Sequence, residues 1–310
     1  MHLLIPYAFC RSEGCATALP TLKLAQLEKL LARLTPEPLN TGDAFSLSPP
    51  HERALAHALG LPLADGLIPW AALQAMQSGL PGGAWAFITP CHWRVGAKRA
   101  AMGGLTLPQF SEPDSRSLLA AMQPYFTEDG IELHYWQPHC WLARSERFDD
   151  LATAALERVV GRDVQSWLPQ GPQAVTLQRL QAEMQMLLYQ HPLNDERAAR
   201  SLPTVNSFWL SGTGTLHEPP AVSEAAPVVP TALRDAALNE NWSAWAQAWH
   251  ALDNTECAAL MAALGRGEPV QLTLCGERNH LVFRSTPQTF LDRLRTRLAT
   301  RNPSTFLEQL

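Results

Sequence analysis

The chain of 310 residues exceeds the usual size of one domain, which predicts two domains or one α/β domain carrying an insertion. Only 17% of residues are Asp, Glu, Lys or Arg while 46% are apolar, a composition that excludes a disordered chain. A net charge of −5 leaves no global basic excess, so bulk charge gives no signal for nucleic-acid binding through phosphate neutralisation.

No apolar run approaches the ~18 residues of a membrane span. Met1-His2-Leu3-Leu4-Ile5-Pro6 lacks the cationic head and long apolar stretch of a secretory signal, and reads instead as the first strand of a cytoplasmic protein. The six cysteines, at positions 10, 15, 91, 140, 257 and 275, include no C-x-x-C pair. That spacing predicts reduced, mostly packed thiols rather than a disulfide framework or a zinc ribbon. Cys91-His92 and His139-Cys140 can each offer one ligand to one side of a sheet, because neighbours on a strand point to opposite faces.

After the first strand, Leu27, Leu30, Leu31 and Leu34 recur at helical spacing, ended by Pro36 and Pro38. Ser48-Pro49-Pro50-His51-Glu52 starts a second helix that stops near Gly60, and a third surrounds Trp70 to Met76. Ala84 to Ile88 reads as a buried strand ending at Thr89-Pro90. Ser111-Glu112-Pro113-Asp114 opens a helix carrying Leu118, Leu119, Met122, Tyr125 and Phe126, and Asp129-Gly130 turns it into a strand at Ile131, Leu133 and Tyr135. The longest periodic segment runs from about Ala174 to His191, with Met184 and Met186 read as core filler. A proline-rich stretch at 217–230 has no periodicity and predicts a linker or a long surface loop. Beyond it, Trp242, Trp245, Trp249 and Leu252 share a helical face, and Val270 to Cys275 with His280 to Arg284 form a hairpin. Phe290, Leu291, Leu294 and Leu298 predict a final amphipathic helix.

Nucleotide and hydrolase signatures are absent: Gly212-x-Gly214 is a fragment of a glycine-rich loop, and neither G-x-x-x-x-G-K-[ST] nor G-x-S-x-G occurs. The informative stretch is 161–214. It contains Gly161-Arg162-Asp163-Val164, Trp167-Leu168-Pro169-Gln170-Gly171, a long helix, His191-Pro192-Leu193-Asn194-x-x-Arg197, and Leu202-Pro203-x-x-Asn206-Ser207-Phe208-Trp209-Leu210-Ser211-Gly212-x-Gly214. In this order of motifs the chain resembles the archaeal-type cofactor-independent phosphoglycerate mutases of the alkaline phosphatase superfamily. A nearer resemblance is to the RpfE-type regulatory protein family of proteobacteria, itself a mutase relative. It is carried by Leu47-Ser48-Pro49-Pro50-His51-Glu52-Arg53, Thr89-Pro90-x-His92-Trp93-x-Val95-Gly96 and Leu272-Thr273-Leu274-Cys275-Gly276-Glu277-Arg278.

The resemblance implies an alkaline-phosphatase-like α/β fold, with a mixed or parallel sheet core flanked by helices and a small inserted α+β domain. On that frame, 1–105 is the first part of the core, 106–160 the insert, 161–216 the long helix and junction loop, 217–230 the linker, and 231–310 the rest of the core. It also implies ligand-binding candidates: His191, Asn194, Arg197, Asn206, Trp209, Gly212 and Gly214. Arg53, Arg162 and Arg200 join Arg197 as candidate anion contacts by chemistry, since guanidinium forks match phosphate or carboxylate.

The departures bear on activity. Phosphoryl transfer of this kind needs two divalent ions held by Asp and His clusters. Where the mutases run from the first strand into a ligating Asp-Gly, this chain has Pro6-Tyr7-Ala8-Phe9, and after residue 214 Asp235, Asp253 and Asp292 show no ligand spacing with His217, His250 and His280. His250 and Asp253 share a helical face and would permit two ligands, against a plainer reading as a polar edge beside the Trp stripe. Three readings follow. The first is a non-catalytic regulatory or interaction protein with no catalytic residue, metal or cofactor, and with a protein partner of unknown identity. The second is a metal-dependent phosphoglycerate mutase or related enzyme drawing on Asp43, Asp65 or Asp163. The third is a sensor of a small phosphorylated metabolite.

Overall fold

A computed structural model describes residues 1–96, 99–220, 226–286 and 301–310. Among them are ten strands: β1 (His2–Ile5), β2 (Thr35–Pro36), β3 (Ala84–Cys91), β4 (Trp93–Val95), β5 (Ala100–Met102), β6 (Glu132–Gln137), β7 (Cys140–Arg144), β8 (Ser207–Thr215), β9 (Gln271–Cys275) and β10 (His280–Arg284). The fold is mixed α/β, with helices flanking a mixed sheet, and the chain divides into two compact units.

The first unit comprises Met1–Phe45, Pro49–Gly60 and Ala221–Leu310. Its sheet runs β1-β9-β10-β2, with β1 parallel to β9 and the other pairs antiparallel. The segment expected as a linker contributes here: Val228 bridges Leu3, with Leu4 N–H donating to the Val228 carbonyl (2.9 Å). Leu3, Ile5, Leu27, Leu30, Leu31, Trp245, Trp249, Leu272, Leu274 and Phe283 form its core. These side chains are fully withdrawn from water, and each contributes roughly 1.5–3 kcal/mol of burial. Helix Pro50–Leu59 starts on proline and ends at Gly60, whose φ of 68° is the left-handed value that favours glycine. The amphipathic helix expected over Phe290 to Leu298 lies outside the described residues.

The second unit comprises Ser46–Ser48 and Leu61–Pro220. It is wider than the 106–160 segment expected as an insert, because β3 belongs to its sheet, β6-β7-β3-β8, and is antiparallel to both neighbours. A buried apolar strand carries no local mark of the sheet it joins. β3 also continues through Pro90, where the sequence predicted an end. β7 pairs with β3 only over Trp85–Ile88, so the missing N–H of Pro90 faces no strand on that side. Helix Glu112–Glu128 begins with a capping box between Ser111 and Asp114, and helix Pro172–Tyr189 packs Leu177, Leu180, Met184 and Leu188 into the core.

Candidate functional site

The motif residues of 191–214 lie in the second unit, where the side chains of His191, Asn194, Arg197, Asn206 and Trp209 each hydrogen-bond backbone groups. His191 is the N-cap of helix Pro192–Ala199, its Nδ1 accepting from Leu193 N–H (3.3 Å). Burial lowers its pKa, which favours the neutral ring an acceptor requires. Asn194 is buried and triply bonded: Nδ2 donates to the Leu188 and Val205 carbonyls (2.7 and 2.8 Å), and Oδ1 accepts from Val205 N–H (2.8 Å). Asn206 makes a two-way clasp on Trp93, accepting from its N–H (2.7 Å) and donating to its carbonyl (2.8 Å). Trp209 Nε1 donates to the Ala154 carbonyl (2.9 Å).

Arg197 is 1% exposed and crosses between two loops. Its Nε donates to the Pro203 carbonyl (2.8 Å), Nη2 to Pro108 (3.0 Å) and Nη1 to Gln109 (3.3 Å), while the guanidinium carbon lies 5.7 Å from the Phe110 ring centre. Pro108 and Gln109 sit almost ninety residues upstream and act through carbonyls, so no sequence pattern could have named them. Gly212 and Gly214 interrupt β8 at an irregularity in its pairing with β3. Gly212 has φ 63°, and a Cβ there would stand 2.9 Å from Phe87 Cδ2, so this glycine serves close packing under helix Trp70–Gln77 rather than phosphate. A cavity of about 10 Å³ beside Trp209, lined by Ala174, Leu177, Gln181 and Phe208 among others, has room for about one water.

The other arginines are occupied differently. Arg53 Nη2 donates to the Arg278 carbonyl (2.9 Å), Arg162 lies 5.5 Å from the Trp167 ring centre, and Arg200 bonds the Gln109 side chain.

In the first unit, the end of β1 is closed by an indole. Tyr7 has φ 52°, unusual for a bulky residue, and its carbonyl accepts from Trp245 Nε1 (2.9 Å). Trp245 and Trp249 are both fully buried and meet edge to face, their ring centres 6.2 Å apart. This is the position where the mutase resemblance called for a ligating carboxylate.

The acidic residues that a metal-dependent reading would draw on cap backbone. Asp43 accepts from Phe45 N–H (2.7 Å), Asp65 from Leu47 and Ser48 N–H (2.8 Å each), and Asp163 from Gln165 N–H (3.3 Å). Asp253 is buried, and both its oxygens face the start of helix Ala25–Arg33, accepting from Gln26 (3.1 Å) and Leu27 (2.8 Å), whereas His250 is exposed. The two therefore do not act as a ligand pair. With their oxygens on backbone N–H groups, these four carboxylates are a poor fit to a two-metal centre.

No protein-family description and no curated protein matches the chain. Among solved structures it is similar to a cofactor-independent phosphoglycerate mutase from Thermoplasma acidophilum DSM 1728, at 12% identity and a TM-score of 0.36 over 99% of this chain and 98% of that one. It is also similar to the PH0037 protein from Pyrococcus horikoshii, at 12% identity and a TM-score of 0.46 over 92% and 86%.

Proposed function

We propose that this chain is a non-catalytic regulatory or interaction protein of the RpfE type, built on a degenerate phosphoglycerate-mutase-like scaffold. The observation that carries the reading is the commitment of polar atoms. In the 191–214 motif the side chains of His191, Asn194, Arg197, Asn206 and Trp209 all bond backbone, and the end of β1 holds the Tyr7–Trp245 contact in place of a carboxylate. Groups fixed in this way brace loops, and they offer a phosphorylated substrate neither a nucleophile nor an anion cradle.

An interaction role also draws support from helix Pro172–Tyr189. Met186 and Tyr189, one turn apart, stand 75% and 84% exposed on the side away from its buried leucines, so Met186 faces outward where the sequence pattern predicts core filler, and the two form a small contiguous apolar patch.

The test is an assay of the purified protein with 3-phosphoglycerate and added Mn²⁺ or Mg²⁺, alongside elemental analysis. The expected result is no phosphoryl transfer above the blank and no stoichiometric metal. Turnover accompanied by bound Mn or Zn would establish the enzyme reading instead. A melting-temperature shift with 3-phosphoglycerate, without turnover, would favour the metabolite sensor.

A further inference from the structure

Cys10 and Cys15 flank a four-residue spacer that leads from the end of β1 into helix Glu13–Ala18. The spacing predicts reduced, mostly packed thiols, and the fold brings these two together. Cys10 N–H donates to Cys15 Sγ at 3.3 Å, which sets the two residues side by side. The other four cysteines sit apart: Cys91, Cys140 and Cys275 on strands, and Cys257 in the helical segment after Leu252.

We propose that Cys10 and Cys15 are a redox-modification site, which a small hydroperoxide converts into a reversible intramolecular disulfide.

The two sulfurs are not equivalent. Cys15 Sγ accepts the Cys10 N–H, which favours a thiolate there, and the interaction between the two sulfurs lowers the pKa of Cys15 while that interaction and burial raise that of Cys10. Cys15 is therefore the attacking sulfur. Its thiolate attacks one peroxide oxygen, the O–O bond breaks, and hydroxide leaves to be protonated as water. The Cys10 sulfur then attacks the sulfenic sulfur, the S–O bond breaks, and the Cys10 thiol proton leaves with that oxygen as a second water. Two thiols are oxidised and one peroxide is reduced. Cys10 is 3% exposed and Cys15 has no exposed surface, which disfavours a bulky disulfide such as oxidised glutathione and restricts the oxidant to a small neutral peroxide. This site does not depend on the regulatory reading.

The test exploits the chain's own cleavage sites, because trypsin cuts after Arg11 and Lys23 and so separates the two cysteines. The folded full-length protein is treated with hydrogen peroxide, quenched, denatured, alkylated, and digested without reductant. Peptides 1–11 and 12–23 are expected joined, lighter than their sum by two hydrogen atoms, and separable by dithiothreitol. Cys91→Ser should keep the link, and Cys10→Ser and Cys15→Ser should each abolish it. Full alkylation of all six thiols after peroxide, a link from either residue to another cysteine, or direct passage to sulfinic acid would overturn the proposal.

Discussion

Arg197 carries a full charge in a buried position and meets three carbonyl oxygens there rather than a carboxylate. Replacing it leaves those carbonyls without donors, and a lysine has no planar fork to reach both loops. Arg197→Lys is therefore expected to cost on the order of 3 kcal/mol in urea unfolding, while binding no anion less well. His280 presents a different buried group: burial first, then the charges of Arg53 and His57, push its pKa from 6.5 to about 4. As pH falls the unfolded chain takes up this proton before the folded one does. Stability is thus complete above about 6.5 and lost between there and about 4. Urea titrations across that window should show a loss on the order of 3 kcal/mol from this residue, and the slope should flatten in His280→Gln. Neither residue's role could be read from sequence, since both depend on groups brought up by distant segments.

Helices and strands were more legible than their partners. The start of helix Pro50–Leu59, the capping box at Ser111, the Trp-bearing helix Trp242–Leu252 and the 276–279 turn between β9 and β10 stand where periodicity and turn chemistry put them, because each is decided within a few residues. Helix Ala25–Arg33 shows what such patterns miss. Its own N-cap position holds Leu24, whose side chain cannot accept a hydrogen bond, and the missing cap comes from Asp253. A helix beginning without a local cap was the available clue. Asp253→Ala is expected to cost about 1–2 kcal/mol, and Asp253→Asn less, measured by thermal unfolding. At β8, Gly212→Ala combines a left-handed φ with a contact against Phe87, and should destabilise by about 2 kcal/mol. Gly130→Ala, with a similar φ but open space around it, is expected to cost less by the same assay.

At the scale of the chain, the α/β class was readable from the alternation of strands and helices, but the division into units was not. Which sheet β3 joins depends on pairing with β7 and β8, more than fifty and more than a hundred residues away, and local hydrophobicity is blind to that choice. Each unit closes its own sheet around its own core. Hydrogen exchange on Gly212→Ala is therefore expected to lose protection along β3, β7 and β8 while β1, β9 and β10 keep theirs; equal loss on both sheets would show a single cooperative unit.

The Asp253 cap also sets a timetable for biosynthesis. Leu27 waits for a residue made 226 positions later, an interval of roughly ten to forty-five seconds at 5–20 residues per second. β1 waits longer still for β9, whereas Leu61–Pro220 can complete its sheet while the ribosome is still working. During that interval Leu3, Leu4, Ile5, Leu30 and Leu31 lack most of the core they later enter, which leaves those stretches of the nascent chain open to aggregation.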